Sequence, residues 1–220
     1  MLKLGYYFRL MILAFLLGEA VPSFSAPDLT IIGFFEPEGG IGKVPLNICE
    51  CLGDSVSTNF IDTLSNCDYS HKELSQSVFN IINNPDQEPG RVALLTDTLW
   101  DICRKPADQV PKDSIVKLAY TMLETTKIPS MWVTILNNEF DAVVVPDKFL
   151  VQVYQDCGVT IPVFVLPIPM ILKPYLDYSG SKQPFKKFIF GDASANKNPK
   201  IVLEAFAKAF KNNPRVSLVL

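Results

Sequence analysis

Short apolar runs alternate with amphipathic segments along most of this chain. The runs have the length of buried strands, and they read DLTIIGFF, STNFIDTL, RVALLTDTL, IVKLAYTML, FDAVVVPDKF and IPVFVLPIP. Segments with helical periodicity lie between them, and they read VPLNICECLGD, SHKELSQSVFNIINN, IPSMWVTILNNE and LVQVYQDCGV. Strands that are apolar throughout and alternate with helices are typical of a parallel sheet covered on both faces. The pattern therefore predicts an α/β fold with a doubly wound, Rossmann-like parallel sheet.

Three local signals refine the predicted helices. The first helix places its apolar positions on one face, namely Val44, Ile48, Cys51 and Leu52. Ser70 and Glu73 have the spacing of a capping box at the start of the second helix. Gly158 is positioned as the C-terminal cap of the last helix before the final strand.

After the first 25 residues, the pattern divides the chain into three parts. Residues 28–167 form the doubly wound domain, and residues 168–185 are polar, contain Pro, Gly and Ser, and form a linker. Residues 186–220 begin a second unit of the same kind, with a strand, a loop, a helix and the start of another strand. Because two strands and one helix do not bury a core, we expect this second unit to be incomplete at Leu220.

The first 25 residues have the layout of a secretory signal peptide. Lys3 and Arg9 precede an apolar run from Leu10 to Leu17, and small residues follow where a cleavage site is expected. The run is shorter than the about 20 residues that a membrane span needs. A mispredicted start or a membrane-associated segment explains the same pattern, so both export and membrane association stay open as localisations.

Composition excludes several function classes. The net charge of −3 includes no basic block, which disfavours nucleic-acid binding. The five cysteines form no C-x-x-C pair and His71 is the single histidine, so neither a disulfide framework nor a zinc site is predicted. We expect no bound metal or cofactor.

Three loops carry candidate chemistry. Gly39, Gly40 and Gly42 lie between the first strand and the first helix, where a backbone binds phosphates in this topology. Glu124 and the hydroxyls of Thr121, Thr125 and Thr126 follow another strand and are expected to face the ligand crevice, and Asp147 and Lys148 follow a third strand. Asn196 and Lys197 precede the helix of the second unit, where they suit a diphosphate. Each feature taken alone also has a plainer explanation: a turn without a ligand for the glycines, and helix capping for the hydroxyls. A solvated turn explains Asp147 and Lys148, and a surface lysine explains Lys197.

The order of these motifs resembles the front part of a GT-B glycosyltransferase of the large retaining group called family 4 or group 1. The resemblance is carried by EPEGGIGKVPLNICECL, by the stretch from Tyr120 to Pro169, and by FIFGDASANKNPKIVLEAFAKAF. It implies a two-domain fold in which the N-terminal domain takes the acceptor and the C-terminal domain takes a nucleotide-sugar without a bound metal. The resemblance also implies a cytoplasmic location, against the export or membrane association that the first 25 residues indicate.

The resemblance also implies roles for individual residues. Gly39, Gly40 and Gly42 would lie near the donor phosphates and the acceptor, and Glu124 with Thr125 would lie on the acceptor side. Lys197 and Asn196 would meet the donor diphosphate. The chain departs from the family pattern at Asn196, where an arginine is usual, and the family's carboxylate pair lies beyond residue 220.

The predicted function is therefore sugar transfer from a nucleotide-sugar to a glycan or other acceptor, with no transfer by this 220-residue chain alone. The alternative is a non-catalytic remnant that binds a glycan or a partner protein, with a second chain covering the incomplete unit. A doubly wound domain of unrelated function is a third interpretation.

Overall fold

A computed structural model of the chain describes residues 27–36, 40–64, 69, 74–83, 88–101, 103–123, 125–172, 176–177, 198–211 and 213. Contacts divide the chain into two compact units, Met1–Leu176 and Asp177–Leu220. The predicted signal peptide lies outside the described residues, as do the capping-box pair Ser70 and Glu73 and the two strands expected in the second unit.

The first unit is an α/β domain with a six-stranded, all-parallel, open sheet, as the apolar pattern predicts. The strands are β1 (Leu29–Gly33), β2 (Thr58–Asp62), β3 (Val92–Leu95), β4 (Val116–Tyr120), β5 (Ala142–Val145) and β6 (Val163–Val165). Their order across the sheet is β2-β1-β3-β4-β5-β6. The direction of winding therefore reverses between β1 and β3, which is the topological switch point where ligands of open α/β sheets bind.

Among the described residues, four helices of the first unit connect these strands. They are α1 (Lys43–Leu52), α2 (Gln76–Ile82), α3 (Ser130–Glu139) and α4 (Lys148–Asp156), and 3₁₀ turns lie at Gly53–Ser55 and Pro106–Gln109. The buried core has two halves, one on each face of the sheet. Residues of α1 and α2 pack in one half, and residues of α3 and α4 pack in the other. This arrangement is Rossmann-like.

The ends of the helices refine the predictions made from sequence. Ser75, rather than Ser70, caps α2, because its Oγ accepts from the Val78 N–H at 3.4 Å. Gly158 follows α4 with φ 95°, the left-handed conformation that the cap prediction requires. Cys51 was expected on the apolar face of α1 and is instead exposed, while its neighbour Cys49 is buried in the core.

The second unit is described through α5 (Pro199–Ala209). Asn198 precedes this helix with φ 50°, and its Oδ1 accepts from the Ile201 N–H at 3.4 Å, so the side chain caps the helix. The helix buries none of its residues. The rings of Phe206 and Phe210, one turn apart, lie with their centroids 4.9 Å apart.

Candidate functional site

A narrow cleft opens at the carboxyl edge of the sheet, beside the switch point between β1 and β3. Its lining comes from the start of α1, the ends of β3 and β4, and α3, and consists of Ile41, Val44, Thr96, Asp97, Thr98, Tyr120, Met122 and Trp132. The enclosed volume is about 10 Å³, which holds one water-sized group. The cleft is therefore the candidate site for a ligand of this domain.

The glycine-rich loop forms one side of this cleft. The Glu36 N–H donates to the Gly42 carbonyl at 3.1 Å, which brings the two ends of the loop together. A Cβ on Gly42 would lie 2.7 Å from Phe34 Cε2 and 2.8 Å from Glu36 N, so only glycine fits there. Gly40 is exposed, and a Cβ there would have no described atom within 4 Å, whereas Gly39 lies outside the described residues. The structure thus explains Gly42 by close packing.

The first turn of α1 begins at this loop. Gly42 is the residue before the helix, and within the described residues no side chain accepts from the first N–H groups of α1. Of the first three residues of α1, Val44 donates its N–H to the Ile41 carbonyl at 3.0 Å and Pro45 has no N–H, so the start of the helix offers a ligand at most the Lys43 N–H. Ile41, just before the helix, is 38% exposed at the edge of the cleft.

A buried carboxylate lies at the centre of the edge. The Asp97 side chain is 1% exposed, and its Oδ2 accepts from Thr63 Oγ1 at 2.6 Å and from Arg104 Nη1 at 3.0 Å. Its Oδ1 accepts from the Thr98 N–H at 2.6 Å and from Thr98 Oγ1 at 3.3 Å. With two acceptor contacts on each oxygen, Asp97 holds the loops after β2 and β3 together and has little capacity left for a ligand.

Arg104 extends this network to the surface. Its Nη2 lies 3.2 Å from Asp101 Oδ2, and its guanidinium carbon lies 6.0 Å from the centroid of the Phe34 ring. Hydrogen bonds from the Cys103 and Arg104 N–H groups, together with the charge of Arg104, lower the pKa of the Asp101 carboxyl below its usual 3.8. Asp97, Arg104 and their partners carry no recognisable motif, and sequence reasoning missed them.

The strand-end hydroxyls predicted to face the crevice do not all do so. Thr121 is 2% exposed, and its Oγ1 is hydrogen-bonded to Tyr154 OH at 2.6 Å, so it stabilises the interior of the domain. Burial raises the pKa of Tyr154 to about 12. Thr125 and Thr126 are exposed, and Thr125 Oγ1 donates to the Lys127 carbonyl.

Of the other predicted site residues, the structure describes Asp147 and Lys148. Asp147 caps α4, because its Oδ1 accepts from the Phe149 N–H at 2.9 Å, and Lys148 is the first residue of that helix. Glu124, Asn196 and Lys197 lie outside the described residues. Their predicted roles on the acceptor and donor sides stay predictions.

The segment after β6 crosses the carboxyl edge, where the Leu166 N–H donates to the Val145 carbonyl at 2.9 Å and two side chains hold the segment as well. Tyr120 OH donates to the Leu166 carbonyl at 2.9 Å, and Asn47 Nδ2 donates to the Pro169 carbonyl at 2.7 Å. Asn47 belongs to α1 and is 5% exposed. We call residues 166–170 the crossing segment.

A larger depression of about 500 Å³ lies at the opposite, amino edge of the sheet. It is lined by Ala107, Asp108, Val110, Lys112, Lys117, Asn138 and Glu139. Its charges are partly paired, since Lys105 Nζ lies 2.6 Å from Asp108 and 3.9 Å from Glu139. Because ligands of open parallel sheets bind at the carboxyl ends of the strands, the cleft is the better candidate despite its smaller volume.

Two features are absent from the part of the chain that the structure describes. They contain no group of three or more His, Cys, Asp or Glu side chains placed to hold a metal ion. Within the same residues, no helix is both long and apolar enough to cross a membrane.

Comparisons with protein-family models, with curated proteins and with solved structures found no match to this chain.

Proposed function

We propose that the first unit binds the acceptor of a nucleotide-sugar-dependent glycosyltransferase of the GT-B type, family 4 or group 1. The acceptor is a saccharide or another hydroxyl-bearing molecule, and it binds at the carboxyl edge of the sheet. Gly40, Gly42 and Thr125 belong to this side of the site in the proposal, together with Gly39 and Glu124. The proposal rests on the order of the motifs along the chain.

The observation that supports it most is the cleft beside the switch point. Its lining combines apolar groups, such as Ile41 and Met122, with the hydroxyls of Thr96 and Thr98. A site of this mixed character suits a sugar, which presents hydroxyls together with apolar C–H faces. At the start of α1 the Lys43 N–H is the donor that remains for a ligand, because the Val44 N–H is bonded to the Ile41 carbonyl and Pro45 has no N–H.

The donor side of the proposal concerns Asn196 and Lys197, which would contact the diphosphate of the nucleotide-sugar. A lysine near the start of a helix supplies a point charge to a phosphate, and the helix dipole adds to it. The donor is expected to bind without a metal ion.

The experiment is a binding measurement on an array of immobilised glycans. The chain and its Ile41→Arg variant are compared, because an arginine at this half-exposed position fills the mouth of the cleft and removes no core side chain. The matched control is Ile115→Arg, since Ile115 is 66% exposed and precedes β4 at the amino edge. We expect glycan binding by the chain and the control, and its loss in Ile41→Arg.

Absence of binding to every glycan would refute the proposal. Equal binding by both arginine variants would place the saccharide elsewhere on the chain. Release of nucleoside diphosphate from nucleotide-sugars is followed in the same samples, and detectable release would contradict the expectation that this 220-residue chain alone transfers no sugar.

The second candidate function is a non-catalytic module that binds another protein chain. It is favoured by exposed apolar side chains on β6 and beyond, namely Phe164, Val165, Ile168, Met170, Ile171, Leu172 and Leu176. A second chain that covers these side chains would remove them from water. Light scattering of the purified chain at rising concentration tests this candidate, and the mass of the complex that contains the chain is measured separately in an extract of the native cells. A mass equal to one chain in both measurements would count against it.

A further inference from the structure

The cleft is too small for a sugar ring. A volume of about 10 Å³ admits one hydroxyl or one water, whereas a pyranose ring with its substituents needs many times that space. A saccharide bound here must therefore place one hydroxyl group in the cleft and leave its ring on the surrounding surface. The residues that recognise the ring belong to the rim.

The loop after β3 forms part of this rim. This loop, residues 96–101 and 103–105, is called the β3 loop here, and its Thr96, Asp97 and Thr98 line the cleft itself. After Thr98, the Asp101 N–H donates a hydrogen bond to the Arg104 carbonyl at 2.9 Å, which joins these two points of the loop backbone. Asp101 Oδ1 accepts from the Arg104 N–H at 2.7 Å, and Asp97 holds the Arg104 side chain. The β3 loop is thus fixed by its own hydrogen bonds.

Trp100 is the exposed aromatic residue of this loop. It is 40% exposed, whereas the second tryptophan of the chain, Trp132, is 4% exposed. The two are linked, because Trp132 lines the cleft and its Nε1 donates to the Trp100 carbonyl at 3.0 Å. The backbone of Trp100 is therefore held beside the cleft, while much of its indole remains in contact with water.

The neighbours of Trp100 carry polar groups suited to hydroxyls. Asp101 and Arg104 are on the same loop, with side chains that are 36% and 32% exposed. A guanidinium has more N–H donors than the contacts with Asp97 and Asp101 use. The pair can therefore bind hydroxyl groups next to a ring that lies on the indole.

We propose that Trp100 is the surface on which the apolar face of a sugar ring stacks, and that Asp101 and Arg104 bind hydroxyls of the same ring. This inference rests on the proposed saccharide-binding function and names the residues that recognise the ring. Aromatic side chains contribute large, rigid contact areas, and tryptophan contributes the largest.

The experiment uses the full chain and four soluble probes: the methyl glycosides of glucose, galactose, mannose and N-acetylglucosamine. Titration calorimetry measures the dissociation constants of the chain, Trp100→Phe and Trp100→Ala. We expect Trp100→Ala to weaken binding about tenfold and Trp100→Phe to weaken it less, because phenylalanine retains a ring. Phe79→Ala is the matched control, since Phe79 is 46% exposed on α2 and lies outside the cleft lining.

Tryptophan fluorescence provides a second readout that a purely structural role would not change. The chain has two tryptophans, so Trp132 is the only one left in Trp100→Phe. We expect the ligand-dependent change in emission to shrink in Trp100→Phe to the part that comes from Trp132 in the cleft lining, although calorimetry still detects binding. The Trp100 carbonyl is retained in every variant, so the bond to Trp132 persists and the variants are expected to fold.

Three results are distinguishable. The expected losses support the stacking role. Binding of a probe by Trp100→Ala with the affinity of the chain overturns the inference and leaves the proposed function intact. Failure of the chain itself to bind any probe or any arrayed glycan overturns the proposed function, and the inference with it.

Discussion

Removal of the Asp97 carboxylate tests the account of the carboxyl edge most directly. The side chain is 1% exposed and accepts hydrogen bonds from Thr63 Oγ1, Arg104 Nη1 and the N–H and Oγ1 of Thr98. In Asp97→Ala the buried Thr63 hydroxyl and the Thr98 N–H lose their acceptor, and an unsatisfied buried group costs about 1–3 kcal/mol. The pair with Arg104 adds less than a fully buried ion pair would, because the arginine is about one third exposed.

These contributions sum to a loss of about 2–4 kcal/mol in the free energy of unfolding for Asp97→Ala. Asp97→Asn keeps the volume and one carbonyl acceptor, so about 1–2 kcal/mol is expected. Domains have about 5–15 kcal/mol of stability, and both variants should therefore fold.

The assay is urea denaturation followed by circular dichroism at neutral pH. A double-mutant cycle with Arg104→Ala isolates the ion pair, and Lys105→Ala is the matched control. Lys105 contacts Asp108 at 2.6 Å on the exposed surface, so its removal should change the stability little. A loss below about 0.5 kcal/mol in Asp97→Ala would refute the reasoning, because surface substitutions alone reach that value.

Three further predictions concern packing and ionisation. Gly33→Ala should destabilise the domain by about 1–3 kcal/mol because the new Cβ overlaps Thr96 Oγ1, and adding Thr96→Ala should relieve part of this loss. Gly90→Ala is the contrast, because its Cβ would meet backbone atoms that cannot be removed by substitution. Urea titration measures the losses, and additive losses in the Gly33→Ala, Thr96→Ala double variant would contradict the clash. Burial raises the pKa of Tyr154 from its ordinary 10.0 to about 12, so the unfolded state loses its proton first as pH rises, and the stability present below pH 10 is lost between pH 10 and 12. Tyr154→Phe should therefore lose less stability over that window. If the free energy of unfolding falls with pH equally steeply in the variant and the original chain, the assignment is disproved. Burial raises the pKa of Cys49 from 9.0 to about 12, and the charge of Glu50 adds a smaller effect. Mass spectrometry should therefore find the Cys49 thiol alkylated at neutral pH only in urea. Equal rates of alkylation with and without urea would show that burial does not protect this thiol.

The sheet was predictable because β1, β3 and β5 are apolar along most of their length. Ile31 and Ile32 of β1 point to opposite faces and both are fully buried, as a parallel strand between two helix layers requires. The order of the strands was less accessible, because local periodicity does not specify which strands become neighbours. Ser75 capped the second helix in place of Ser70 because serine side chains cap wherever the helix begins, and helix boundaries are weakly encoded.

The candidate site was predicted in part. The loop at Gly42 was identified from its glycines, and the structure attributes that glycine to contacts with Phe34 and Glu36. The Asp97–Arg104 pair was missed because either residue alone reads as a surface charge, and their pairing depends on how the β3 loop closes. Thr121 was misjudged for a similar reason, since its partner Tyr154 is 33 residues away and on another element.

The crossing segment has a mechanical consequence. Asn47 of α1 is hydrogen-bonded to the Pro169 carbonyl, and Tyr120 of β4 to the Leu166 carbonyl, so both anchors lie after β6. A pulling force applied to the chain beyond Leu172 would reach the Asn47 anchor first and the Tyr120 anchor second. The hydrogen bond from the Leu166 N–H to the Val145 carbonyl, and then the three-residue edge strand β6, would be loaded only after both had broken. The helix that begins at the glycine-rich loop is thus the first element of the domain to bear tension from the downstream chain.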